Sequence, residues 1–305
     1  MEQRDLRRLL NFQQAHEEAM ALRTARLAVL APEDLEVLQA VFAAREKGMV
    51  EPVLLGKKEK ILEAAASMFL DLQGIEIIDL DSPGQMAQRG LEMFYQEEVD
   101  LVVKGRISTS HIYRAIISQE KKRGNSQRTS VCSLWELPQA GRFILLTDTG
   151  VNINPDWQIK QEVLQQAVLL MQLLGYGPIT AVALTASREL EADLASRADA
   201  EKIRDHFRRE GIPCQVEYGG EMRYFPGNDG EMMPDIILVP HLDAGNIIVK
   251  LDFFLDIQRS SVVTSSQGPI VVPSRSDTAD HILDELALGL VIINRLQRHG
   301  GLWGG

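Results

Sequence analysis

Short runs of Val, Ile and Leu alternate along this chain with longer stretches of helical periodicity, and that alternation limits the folds open to it. Leu27 to Ala31, Pro52 to Leu55, Ile75 to Leu80 and Asp100 to Lys104 read as strands, with helices at Pro32 to Glu46, Lys57 to Met68 and Gln85 to Gln96 between them. A strand that is apolar throughout must be covered on both faces. Helix-length crossovers supply that cover and point to a parallel sheet. The first half is therefore expected to be α/β.

The charged, glycine-containing tract Lys121 to Arg128 reads as a hinge or domain crossing. Two strands follow close together, Thr129 to Leu134 and Arg142 to Thr147, across a Pro138-Gln-Ala-Gly141 turn. A helix from Trp157 to Leu174 ends at Gly175, and further strands read at Ile179 to Leu184, Gln215 to Tyr218 and Asp235 to Pro240. The last helix, Asp277 to Arg298, carries Ala279, Ile282, Leu283, Leu286, Leu290 and Ile293 on one apolar stripe. Gly300 reads as its C-cap and Gly301 to Gly305 as a frayed tail.

A net charge of −11 speaks against nucleic acid or an anionic membrane surface as the main partner. A polyanionic ligand would need a local basic pocket. No apolar run approaches the roughly 20 residues of a membrane span, and Met1 to Met20 lacks the apolar core of a signal peptide. Cys132 and Cys214 lie in strand-like surroundings without a partner at CxxC spacing, and no histidine has metal-ligand spacing, so neither a disulfide framework nor a metal is expected. The reading is a cytoplasmic protein.

In open parallel α/β sheets ligands bind beyond the carboxyl ends of the strands. Four strands here end in polar clusters. The most informative is Gly268-Pro-Ile-Val-Val-Pro-Ser-Arg-Ser-Asp-Thr-Ala-Asp-His281, where a buried-type strand breaks at Pro273 and delivers Ser274, Arg275 and Ser276 to the start of the last helix. A guanidinium beside hydroxyls and free N–H groups at a helix N-terminus favours phosphate oxygens. Capping by Ser276 explains the hydroxyl but not Arg275. In the second cluster Lys104 closes an apolar strand, Gly105 permits close backbone approach, and Ser108, Thr109 and Ser110 offer donors. The third, Asp148 to Pro155, contains Asp148 and Asn152. The fourth, His241 to Lys250, contains Asp243, with Asn246 and Lys250 on one helix face. Helix capping and solvated lysines account for several of these one at a time.

With these residues in hand, the chain resembles the phosphate acetyltransferase and phosphate butyryltransferase family, and the butyryl branch most. The resemblance runs in order through Lys104-Gly-Arg-Ile-Ser-Thr-Ser110, Trp135-Glu-Leu-Pro138, Leu146 to Pro155, Leu238 to Asn246 with Lys250, and Gly268-Pro-Ile with Ser274-Arg-Ser-Asp277. It implies acyl transfer between coenzyme A and inorganic phosphate on short-chain or branched acyl groups such as butyryl or acetyl. Coenzyme A is then a substrate, and no cofactor is tightly bound. The implied architecture is two α/β domains with mainly parallel sheets, isocitrate-dehydrogenase-like, with the active-site cleft between them. Residues 1–125 plus 265–305 would form the first domain, and residues 126–264 the inserted second, in a homodimer or higher homo-oligomer.

By the same resemblance Arg275 clamps phosphate, and Ser274 bonds the reacting oxygens. Lys104, Ser108, Thr109, Ser110, Asp148, Asn152, Asp243, Asn246 and Lys250 bind substrate. The acetyl branch carries its carboxylate base seven residues after the serine of the Ser-Arg pair. Here that position is His281, so His281 and Asp280 both stand as the base. Residues 217–234 also depart from the family pattern, which keeps a non-catalytic homologue that binds coenzyme A or acyl phosphate as the alternative. A dehydrogenase on the same fold ranks last, because it would need clustered aspartates and a nicotinamide site.

Overall fold

The structure is a computed structural model that describes residues 6–125, 127–137, 140–186, 193–219, 233–255 and 257–298. It divides into two compact units. Of the described residues, one unit comprises those within 12–129 and 260–298, here called the flanking unit. The other, the central unit, comprises those within 130–259 together with residues 6–11.

In chain order the flanking unit opens with α1 (Phe12–Met20), β1 (Ala25–Leu30), α2 (Leu35–Glu46), β2 (Val50–Gly56), α3 (Lys58–Ser67), β3 (Glu76–Asp79), α4 (Pro83–Tyr95), β4 (Leu101–Lys104) and α5 (Thr109–Lys122). The central unit follows with β5 (Val131–Leu137), β6 (Arg142–Thr147), α6 (Trp157–Leu173), β7 (Ile179–Leu184), α7 (Ala195–Glu210), β8 (Cys214–Gly219), β9 (Ile236–Leu238), α8 (Leu242–Lys250) and α9 (Asp252–Leu255). The chain closes with β10 (Arg259–Ser265), β11 (Gly268–Val271) and α10 (Ala279–Arg298).

Strands of the flanking unit lie in the order β3-β2-β1-β4-β11-β10, parallel except for the β10–β11 hairpin. Those of the central unit run β5-β6-β9-β7-β8, parallel except for the β5–β6 pair. The protein is thus mixed α/β with mostly parallel pairing. Leu27, Ala28, Val29 and Leu30 of β1 are all fully buried, as a strand with helices on both faces requires. Each such Val or Leu contributes about 1.5–3 kcal/mol of burial, which fixes the strand register that sets the site.

Helix ends follow local chemistry. Ser82 and Gln85 form a capping box before α4, with Pro83 in the first turn. Asp34 caps α2 by accepting from Val37 N, and Asp156 caps α6 by accepting from Ile159 N.

The structure corrects the sequence reading at several points. Helices α1, α5 and α7 and strand β10 lie outside it. α7 buries only Ala200, Ile203 and Phe207 among many charged side chains, so its apolar stripe is too thin to stand out. Lys121 and Lys122 form the last turn of α5 rather than a hinge, and the passage between units comes at Thr129 and Ser130. α10 begins at Ala279 instead of Asp277. Its first N–H groups are met by Glu36 Oε2, which accepts from Ala279 N at 2.7 Å, and by Thr278 Oγ1, which accepts from His281 N at 3.4 Å. Ser276 is not the cap. Gly300, the 301–305 tail and most of the divergent 217–234 stretch lie outside the described residues.

Candidate functional site

The parallel strands β1, β4 and β11 end side by side in the flanking unit, and their carboxyl ends open on a pocket of about 510 Å3. Lys104, Gly105, Arg106 and Ile107 line it from the end of β4. Pro273, Ser274, Arg275 and Asp277 come from the turn after β11, Asp34 and Val37 from the start of α2, and Ile282 from α10. Gly105 is what lets these segments meet. Its N–H donates to Leu30 O at 2.7 Å, Arg106 N donates to Ala31 O at 2.8 Å, and a Cβ on residue 105 would sit 2.3 Å from Ala31 O. Any side chain there would push β4 off β1.

Three cations, Lys104, Arg106 and Arg275, face two carboxylates, Asp34 and Asp277, around this pocket. Lys104 is only 6% exposed, and burial pushes its pKa down, opposed by Glu285, Asp34 and Asp277 and aided by Arg275. Its Nζ lies 3.4 Å from Gly105 O. The turn holding Ser274 closes on itself: Asp277 Oδ2 accepts from Ser274 N at 2.6 Å, and Ser274 Oγ lies 3.1 Å from Ser276 Oγ. Arg275 is exposed and forms no salt bridge among the described residues. A cation held at a strand end without a carboxylate partner is suited to a planar or tetrahedral oxyanion.

The sequence-predicted residues separate into groups. Lys104, Ser274 and Arg275 come together in the pocket. Ser108 is the N-cap of α5: its Oγ accepts from Ser110 N at 3.4 Å and lies 2.9 Å from Ser110 Oγ. Ser108, Thr109 and Ser110 follow the lining residue Ile107 without lining the pocket themselves. Asp280 and His281 are exposed on the first turn of α10 and also stand outside the lining, because Ile282 takes the inward position. Asp34 and Arg106 were missed. Arg106 had a signal in its place two residues after Lys104, whereas Asp34 reads only as a helix cap.

In the central unit, Asp148 is 4% exposed and saturated by its own loop and the start of β5. Its Oδ1 accepts from Val131 N, Gly150 N and Val151 N at 2.9, 3.0 and 3.1 Å, and its Oδ2 accepts from Asn152 N at 2.8 Å and Asn152 Nδ2 at 2.6 Å. Five donors exhaust a carboxylate's acceptor sites, so Asp148, with Asn152 among its donors, shapes the loop. Gly245 packs α8 on that loop, since a Cβ there would lie 2.8 Å from Asp148 O. His241 caps α8, its Nδ1 accepting from Ala244 N at 3.3 Å, and Asp243, Asn246 and Lys250 lie exposed along the helix.

Both thiols are poor nucleophiles. Burial pushes Cys132 and Cys214 up to about 12, far from the thiolate form at neutral pH. Among the described residues no three His, Cys, Asp or Glu side chains stand close enough to hold a metal ion, and no helix is long and apolar enough to cross a membrane.

Fold and pocket together define an α/β protein with a cation-lined pocket at the carboxyl ends of parallel strands. Residues 83–288 match the family model described as phosphate acetyl/butaryl transferase, and the chain belongs to that family. It is 27% identical over 279 residues to a probable phosphate butyryltransferase of Bacillus subtilis, covering 87% of this chain and 92% of that protein. Among solved structures it is similar to a phosphotransacetylase from Streptococcus pyogenes, with TM-score 0.76 and 15% identity over 93% of this chain and 98% of that one. A branched-chain phosphotransacylase from Enterococcus faecalis V583 gives TM-score 0.70 and 20% identity over 88% and 99% of the two chains. At these identities the structural matches establish the fold alone.

Proposed function

We propose that this protein is an acyl-CoA:phosphate acyltransferase, converting acyl-CoA and phosphate to acyl phosphate and coenzyme A, with short or branched acyl groups such as butyryl or acetyl. The observation that carries the reading is the cationic pocket in a member of this family: Lys104, Arg106 and Arg275 around a space large enough for a phosphorylated reactant. A phosphate oxygen attacks the thioester carbonyl, a tetrahedral oxyanion forms, and the C–S bond breaks as the thiolate leaves. Arg275 and Lys104 hold the phosphate, and Ser274 Oγ donates to the reacting oxygens. In the reverse direction a base must take the thiol proton, and Asp280 and His281 remain the proposed groups. Ser108, Thr109 and Ser110 are proposed donors to phosphate or the acyl carbonyl, and Asp243, Asn246 and Lys250 remain proposed substrate contacts of the central unit. The two compact units are read as domains of the isocitrate-dehydrogenase-like type, in a cytoplasmic homo-oligomer.

A panel of acyl-CoAs with and without phosphate, read by free thiol release, tests the proposal. Release that depends on phosphate and is lost in Ser274→Ala and Arg275→Ala supports it; release indifferent to phosphate removes it. One observation favours the second reading, a homologue that binds coenzyme A or acyl phosphate without turnover: neither Asp280 nor His281 lines the pocket. Thermal stabilisation by coenzyme A with no release would select that reading.

A further inference from the structure

Ile282 lines the cationic pocket from the first turn of α10, and one turn along the same face stands Glu285, a carboxylate with no exposed surface. Its Oε1 accepts from Ser261 N at 2.8 Å. A further turn on, Gly289 seats the helix on the sheet: a Cβ there would meet Val271 Cγ2 at 2.9 Å and Leu101 Cδ2 at 3.2 Å. Leu101 starts the strand that Lys104 ends. Two fixed points follow, Gly289 against Leu101 and Ile282 at the pocket with Lys104, and Glu285 falls between them, bonded to Ser261, whose O accepts from Val272 N one residue past the Val271–Val103 pairing that precedes Lys104. A carboxylate buried this deeply is tolerated only beside a cation or strong donors.

We propose that Glu285 is a positioning residue, the buried counter-charge that holds the Lys104 ammonium at the base of the pocket and keeps it cationic for the phosphate oxygens. The other charges around Lys104 do this less well. Asp34, at the N-cap of α2, and Asp277, in the turn after β11, are half-buried and screened by solvent, while Arg275 and Arg106, which share the pocket, repel the ammonium. Burial works against the charged amine most strongly, and Glu285 is the largest influence in its favour. The chemical role rests on the acyltransferase reading; the pairing itself does not.

Protein labelled with 13C at lysine Cε tests the pairing without turnover, the Lys104 resonance being assigned by its loss in Lys104→Arg. In Glu285→Gln, which keeps the shape and the acceptor for Ser261 N, the ratio of neutral to charged Lys104 at a fixed pH should rise about tenfold. The alkaline limb of the phosphate-dependent rate should move to lower pH with it. A Lys104 titration that coincides in folded Glu285→Gln and wild type overturns the proposal. Should Glu285→Gln fail to fold, the Lys104→Met/Glu285→Leu double variant decides: recovered folding supports the pair, and a double variant no more stable than Lys104→Met overturns it. Wild-type protein with no phosphate-dependent transfer would remove the acyltransferase reading and leave the titration readable.

Discussion

Replacing Gly105 by alanine puts the packing of the site to a direct test. The added Cβ would lie 2.3 Å from Ala31 O and 2.8 Å from Leu30 O, against 3.4 Å for ordinary contact. Both neighbours are backbone, so no side chain can swing aside, and the ends of β1 and β4 must part by about 1 Å. Overpacking of this kind costs about 1–3 kcal/mol. Parting the strands also strains the bonds from Gly105 N to Leu30 O and from Arg106 N to Ala31 O, at about 0.5–1.5 kcal/mol each. The expected loss is therefore about 2–6 kcal/mol, read as an earlier urea midpoint. Because the same movement displaces Lys104 and Arg106, phosphate should no longer protect the variant against unfolding. A Gly105→Ala protein within about 0.5 kcal/mol of wild type, and still protected by phosphate, would refute the claim that this glycine sets the pocket.

Three further outcomes follow from other sites. Asp148→Asn turns one acceptor oxygen into a donor facing N–H groups that already point at it, and should cost about 2–3 kcal/mol in thermal or urea unfolding; an unchanged midpoint would mean that the loop does not depend on that carboxylate. The raised thiols of Cys132 and Cys214 release protons in the unfolded chain near pH 9 but in the folded protein only near pH 12. Stability is therefore flat below about pH 9 and falls above it by about 1.4 kcal/mol per pH unit for each thiol, with Tyr95 and Tyr176, also raised by burial, adding from about pH 10. A Cys132→Ala variant with the wild-type alkaline slope would contradict this. Tyr95→Phe removes the hydroxyl that donates to buried Glu120 at 2.5 Å and should destabilise by about 1–3 kcal/mol; a smaller change in calorimetry would show that Ser266, which also donates to Glu120, suffices.

The sheet was legible because its strands are apolar throughout: β6 and β7 occupy the stretches that their Ile- and Leu-rich runs mark out. α7 and α1 were not, since each buries only three side chains and the rest of each surface is polar or charged. Within the site, Lys104 and Arg275 stood out as cations ending apolar strands. Asp34 did not, because its place in the pocket depends on how the start of α2 meets β4, a contact between segments some 70 residues apart. Glu285 was concealed differently. It interrupts the apolar stripe of α10, and periodicity averages one such residue away, although a carboxylate between Ile282 and Leu286 was itself a signal of a buried charge. Asp148 carried the opposite ambiguity: an aspartate in a polar strand-end cluster reads equally well as a ligand contact or a loop staple, and only its five donors separate the two.

The account turns on the Arg275 guanidinium engaging phosphate at the end of β11. Acyl phosphate formation from butyryl-CoA across a phosphate titration, followed by 31P NMR in wild type and Arg275→Ala, measures that engagement. Loss of charge-assisted bonds worth about 1.5–3 kcal/mol predicts a fall of roughly 10- to 150-fold in kcat/KM for phosphate, with thermal stability unchanged because the side chain is exposed. Equal phosphate dependence in the two proteins would contradict it.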